Sequence, residues 1–224
     1  MRTGLIACAM LRDELEHALR ETGCQYQPYW LDRGLHNSPQ RLREAVQAAA
    51  EQLAPAVDVI LLAYGLCGGA MDGLRSPGPQ MILPLYHDCI QMLLSGADPK
   101  NDKRADSLYF TRGWEQDDEF IGHTYQRACQ KYGAAKAIRL YQRMLRGYRT
   151  AYVVDTGCFD VEAASRALSP TACALGLDIQ VTQGSNRILK QLLTGPWDEH
   201  FYILEPGETL TTTQFLDQAL LCRP

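Results

Sequence analysis

No Cys-x-x-Cys pair occurs among the eight cysteines of this 224-residue chain, so it lacks the strong signature of a zinc ribbon or a ferredoxin. No apolar run approaches the roughly 20 residues that a bilayer-crossing helix needs, so no membrane partner is expected. Met1-Arg2-Thr3-Gly4-Leu5-Ile6-Ala7 runs directly into the first strand, so no signal peptide and a cytoplasmic location are expected. Positive charge is also short: 22 Lys and Arg stand against 26 Asp and Glu, for a formal net charge of −4. Nucleic-acid binding needs basic patches that displace counterions, so no nucleic-acid partner is expected. The one basic cluster, 131–149, reads as the solvated face of a long helix. No short-period repeat and no low-complexity linker divides the chain.

What is present is an alternation of strands and helices. Hydrophobic residues make up 46%, enough for a sizeable core. Strands are expected at 5–9, 26–31, 57–63, 81–85, 107–111, 151–154, 179–182 and 200–204. The run Val57-Asp58-Val59-Ile60-Leu61-Leu62-Ala63 is the clearest and is expected at the centre of a sheet covered on both faces. Helices are expected at 12–20, closed by Gly23; at 39–53, with Ser38 capping and Pro39 at the first position; and from 87 to 94. Further helices are expected at 117–146 with a break near Gly133, at 161–175 with a break at Pro170, and at 185–193. The pattern predicts an α/β fold, Rossmann-like, with a mainly parallel sheet and helices on both faces. It is either one unit over 1–224 or two Rossmann-like halves meeting near 73–79.

In open parallel sheets, ligands bind beyond the carboxyl ends of the strands. Four cysteines fall at such ends: Cys8, Cys67, Cys89 and Cys158. Cys24, Cys129, Cys173 and Cys222 fall at a strand start, inside helices or in the tail, and read as structural. A thiolate is a soft ligand that suits zinc, copper or an iron–sulfur cluster. Cys89 stands at a helix start, where the helix dipole should lower its pKa. Gly65, Gly68 and Gly69 in the turn after the third strand would let backbone approach a bound group and donate N–H groups to it. His87 and Asp88, beside Cys89, read as a ligand, an acid–base pair or an orienting pair. Asp155-Thr156-Gly157 is either a binding carboxylate at a strand end or an Asx turn. His36 reads as a loop histidine, and Trp114 as either a stacking platform or core.

Several of these segments carry a resemblance. Ala7-Cys8-Ala9-Met10-Leu11-Arg12 with Glu14-Leu15, Leu35-His36 with Pro39, Tyr64-Gly65-Leu66-Cys67-Gly68 and His87-Asp88-Cys89-Ile90 occur in this order. Thr111-Arg112-Gly113-Trp114 and Asp155-Thr156-Gly157 follow. Together they resemble the bacterial and archaeal domain-of-unknown-function family 1638, over nearly the whole chain. The resemblance supports Cys8, Cys67, His87, Asp88, Cys89 and Asp155 as site residues and leaves Cys158 outside the pattern. It carries no reaction. Its members occur among anaerobes that use corrinoid-dependent methyl transfer, which implies a methyltransferase or a corrinoid protein as partner.

The leading expectation is a metal- or [4Fe-4S]-dependent enzyme, a non-redox lyase, hydrolase or transferase acting on a small-molecule substrate. Cys8, Cys67 and Cys89 would hold the zinc or iron–sulfur cluster with one coordination position open. His87, Asp88 and Asp155 would move protons. Two alternatives stand beside it. One is a non-catalytic carrier of metal or cobamide, an accessory of methyl transfer. The other is a metal-free thiol enzyme with Cys89 as nucleophile and His87 or His36 as base.

Overall fold

The structure is a computed structural model that describes residues 2–97 and 103–221; Cys222 lies outside the described residues. The chain opens with β1 (Thr3–Cys8), a 3-10 turn over Ala9–Leu11, and α1 (Arg12–Thr22), which Gly23 ends in the left-handed conformation at φ +71°. β2 (Pro28–Leu31) and α2 (Pro39–Leu53) follow, and the Ser38 hydroxyl caps α2 by accepting from the Arg41 N–H. β3 (Val59–Ala63), β4 (Gln80–Pro84) and α3 (Cys89–Ala97) complete the first unit. The second unit contains β5 (Ser107–Phe110), α4 (Arg112–Glu115), α5 (Ile121–Tyr132), α6 (Ala134–Met144), β6 (Thr150–Asp155), α7 (Val161–Leu175) and β7 (Asp178–Gln183). α8 (Arg187–Thr194), β8 (Phe201–Leu204) and α9 (Thr212–Leu221) then return to the first.

Two sheets result. The larger has the order β2-β1-β3-β4-β8, parallel except for β8, which pairs antiparallel with β4. The smaller is the parallel set β5-β6-β7. β3 lies at the centre of the larger sheet, and all five of its residues are buried. Its side chains alternate with the period of a strand. Ile60 and Leu62 join a core with Leu42, Val46 and Ala50 of α2 and Phe215 of α9. Val59, Leu61 and Ala63 join the opposite core with Leu15 and Ala18 of α1, Met92 and Leu93 of α3, and Leu189 and Leu192 of α8. Helices therefore cover both faces of the larger sheet. The smaller sheet shares a third core with α5, α6 and α7, while Val181 on β7 stays 53% exposed.

The change of sheet falls between α3 and β5. Residues 73–79 instead join β3 to β4 inside the larger sheet, where Arg75 bridges Thr209. Gly133 does break the long helix into α5 and α6, at φ +80°. Pro170 does not break α7. A proline inside a helix removes one hydrogen bond, but this one is solvent-exposed, so water can serve the freed carbonyl. Leu168, Ala172 and Leu175 hold the helix to its core on the other face. Among the described residues, no helix is long and apolar enough to cross a membrane.

Candidate functional site

The order β2-β1-β3-β4 reverses direction between β1 and β3, the position at which open α/β sheets leave a crevice beyond the strand ends. Cys8 is the last residue of β1. Cys67 lies in the turn after β3, and Cys89 is the first residue of α3 after β4. The turns that carry the last two are hydrogen-bonded together: the Leu66 N–H donates to the Tyr86 carbonyl and the Cys67 N–H to the His87 carbonyl, both at 2.9 Å. Gly65 is required by this contact, because a Cβ there would stand 2.6 Å from the Tyr86 oxygen. Cys67 itself occupies the left-handed region at φ +48°, a strained setting for a residue with a side chain.

The three thiols share one buried environment. Burial pushes Cys8 up to about 11, against the Met10 N–H, the neighbouring Tyr64 hydroxyl and Arg33. Burial and then the charge of Cys8 push Cys67 up to about 12, against the Gly65 N–H. Cys89 lies well above the ordinary thiol value because of burial first and then Cys67 and Cys8. The expected lowering of Cys89 by its helix start does not occur, since loss of hydration outweighs the dipole. Without a cation, all three are neutral thiols at neutral pH, which removes support from the metal-free nucleophile reading.

Around them stand groups of several origins. His36 approaches Cys8, with Nε2 2.9 Å from Sγ. Burial lowers the imidazole's pKa, while Asp117 and Asp88 act in the other direction. The Tyr64 hydroxyl is buried among the sulfurs; it adjoins Cys8 but reaches no partner with hydrogen-bond geometry. Trp114 packs against both cores of the larger sheet, and its buried Nε1 also lacks a partner. It is carried there by Gly113, whose missing side chain lets α4 close on the Met10 carbonyl, where a Cβ would come within 1.9 Å. Glu14 is fully buried. Its Oε1 accepts from the Thr156 hydroxyl at 3.2 Å, and its Oε2 has no partner. Burial pushes this carboxyl up to about 7, and its charge is felt at Cys89.

The other expected residues take quieter places. The His87 side chain is exposed, while the residue's backbone N–H donates to Gln91 Oε1 and its backbone carbonyl accepts from the Cys67 N–H. Asp88 caps α3, with Oδ1 accepting from the Gln91 N–H at 2.9 Å, and it pairs with Lys103 through Oδ2. The Gly69 N–H donates to the Leu66 carbonyl inside its own turn. Gly68 and Gly69, at φ +68° and +84°, shape the turn that exposes their edge to open space. Asp155 closes an Asx turn on the Gly157 N–H at 2.9 Å, at the end of the smaller sheet. Cys158 stays with that sheet, donating to the Thr156 carbonyl. Glu14, Tyr64 and Asp117 are the neighbours that the sequence reading did not select, and His36 was named there only as an alternative base for Cys89. His36 and Glu14 stood within the resembling segments, Tyr64 was read only as a turn residue, and Asp117 carried no local signal.

The chemistry of the donors can be tested against a bound group. Three soft thiols are present, but among the described residues the trio whose donor atoms all lie within 4.8 Å of one another is Asp198, Glu199 and His200. The thiol trio is therefore spread more widely than a single tetrahedral ion requires, since thiolate bonds of about 2.3 Å bring sulfurs to within roughly 4 Å. A cluster binds each thiolate through a different iron and so tolerates a wider spread than one ion does. The orphaned Tyr64 hydroxyl is a donor, and thiolates or cluster sulfides are acceptors. In donor chemistry, though not by any measured sulfur spacing, the set is of the soft type that an iron–sulfur cluster takes.

A profile of the family described as protein of unknown function (DUF1638) matches residues 30–193. The chain belongs to this family. The matched segment contains His36, Tyr64, Cys67, Cys89 and Asp117, whereas Cys8 and Glu14 precede it. Neither the curated proteins nor the solved structures compared with the chain gave a match.

Proposed function

We propose that this member of the family is a [4Fe-4S]-dependent, non-redox enzyme acting on a small molecule, with Cys8, Cys67 and Cys89 as the three thiolate ligands. The observation that supports the reading is the placement of three cysteines at the strand ends beside the reversal point between β1 and β3, near enough that Cys8 and Cys67 act on Cys89 and that all three act on the buried Tyr64 hydroxyl. The larger sheet is then read as a Rossmann-like unit with its ligand at the usual strand ends. When bound, the cluster would supply an iron with an open position, a Lewis acid toward a substrate oxygen. The chain supplies the rest. Tyr64 donates a hydrogen bond toward the sulfurs, His36 orients Cys8, and Glu14 holds or gives a proton at Oε2. Burial of Cys8 and Cys89 favours a resident group over a cargo handed to a partner.

Anaerobic reconstitution with iron and sulfide tests this reading. About four irons per chain and a broad visible absorption are expected. Cys67→Ser should lose both, because oxygen is a poor donor to a soft site. Cys129→Ser, on α5, should keep both. Zinc alone at one per chain would replace the cluster with a single ion. Full iron in Cys8→Ser, Cys67→Ser and Cys89→Ser alike would overturn the site.

A further inference from the structure

Charge is not spread evenly over this molecule. Between Glu119 and Asp155 the chain has no acidic residue and seven cations. With a net charge of −4 overall, the remainder carries −11, from 15 Lys and Arg against 26 Asp and Glu. Arg127 is paired, standing 3.6 Å from Glu119. Lys131, Lys136, Arg139, Arg143, Arg146 and Arg149 are all exposed, and among the described residues none has a carboxylate partner. Lys136, Arg139 and Arg143 recur at i, i+3 and i+7, along one face of α6. Ala137 and Tyr141 turn the other face into the core. Beside the cations stand uncovered apolar groups: Met144 is 64% exposed and Leu140 44%.

A solvated helix face explains the arginines but not Leu140 and Met144 next to them. Arg and Met, with apolar anchors between them, are the composition of a protein-binding surface. Nucleic acid is a poorer fit. The exposed Tyr132 ring is already covered by the Lys131 and Lys136 ammonium groups, each 5.1 Å from its centroid, so it does not offer a free face to a base. Leu140 and Met144 add nothing to a phosphate contact. A lipid plane or a long polyanion would also meet the −11 of the remaining chain, whereas a partner protein need meet only this flank.

We propose that the exposed face of α6, continued by the turn to Arg149, is the docking surface for a partner protein that presents an acidic patch with apolar side chains inside it. The cations steer and orient that patch, and Leu140 and Met144 bury against its apolar centre. The surface lies on the smaller sheet's helices, apart from the three cysteines, so it does not depend on what those cysteines hold.

The test uses the full chain and a labelled, synthetic, amphipathic helix whose polar face is glutamate and whose apolar face is leucine. Fluorescence anisotropy should show binding that weakens as salt rises to physiological strength. An all-glutamate peptide should bind more weakly. Arg139→Glu with Arg143→Glu should weaken binding by about tenfold or more, and Leu140→Ser with Met144→Ser by several-fold. Circular dichroism should show all variants folded, since these side chains are exposed. The proposal is overturned if the leucine-bearing peptide binds no better than the all-glutamate one, or if charge reversal leaves binding unchanged. It is also overturned if single-stranded RNA or phosphatidylglycerol vesicles bind the same face more tightly than the peptide does. Self-association abolished by the same reversal would assign the face to a second copy of the chain and overturn it too.

Discussion

His36 and His87 bring the same side chain to different surroundings, and a chelator competition on iron-loaded protein separates them. His36 Nε2 stands 2.9 Å from the Cys8 sulfur, whereas the His87 ring is exposed. Groups that orient a ligand commonly account for about 10–100-fold in affinity. His36→Ala should therefore weaken iron retention by about that factor, while His87→Ala stays close to the parent. Glu14 provides a second test, on metal-free protein. Its carboxyl is raised from the ordinary 4.5 to about 7 by burial. A raised carboxyl holds its proton more tightly when folded, so its stabilising effect is complete below about 4.5 and is lost as pH rises toward 7. Across that window the parent should lose on the order of 3 kcal/mol relative to Glu14→Gln, read from urea midpoints at successive pH values. The placement of Cys8, Cys67 and Cys89 at strand ends was legible because it follows from a local pattern of strand and turn. The pairing of His36 with Cys8 and the burial of Glu14 were not legible because they depend on a sulfur 28 positions away in one case and on Thr156, just past β6, in the second. The pull of the helix start on Cys89 was legible, but the burial that overrides it was not.

Among the elements, the joint between the turn after β3 and the turn before α3 sets the spacing of Cys67 and Cys89. Gly65→Ala would drive a Cβ against the Tyr86 carbonyl and the Asp88 backbone, both within 3.0 Å. Neither is a flexible side chain that can yield. A loss of about 1–3 kcal/mol is expected, measured by thermal or urea unfolding, together with poorer iron retention from the displaced turns. The elements themselves were read well where composition decides. β3 has only apolar residues, α2 has Ser38 and Pro39 at its start, and α5 and α6 meet at Gly133. The errors have physical causes. Pro170 was read as a break because the sequence does not say that its side of α7 faces water. α4 is only four residues long, too short for a period to show, and its place is set by Gly113 docking on Met10. α9 is held by Phe215 packing into the core rather than by any capping pattern.

For the molecule as a whole, alternating strands and helices announced a mainly parallel sheet, but the division they allowed for was placed near 73–79, inside the larger sheet, and not between α3 and β5. Partition depends on which strands pair, and β4 pairs with β8 although the whole smaller sheet lies between them in sequence. The antiparallel direction of β8 is likewise invisible, because a short apolar run reads the same in either sense. A chain ending before Phe201 should leave the β4 edge bare, and it should aggregate on refolding where the full chain does not, as light scattering would show.

The same strand pairing sets an order of events during synthesis. Cys8, Cys67 and Cys89 all leave the ribosome early, but β8, at Phe201–Leu204, emerges more than 100 residues after Cys89. At an elongation rate of about 5–20 residues per second this interval is on the order of ten seconds. Throughout it, the three cysteines have emerged while β4 still lacks its antiparallel neighbour. On the cluster reading proposed above, loading the nascent chain and loading the finished one would then be different problems, the first with the β4 edge open and the second with it paired.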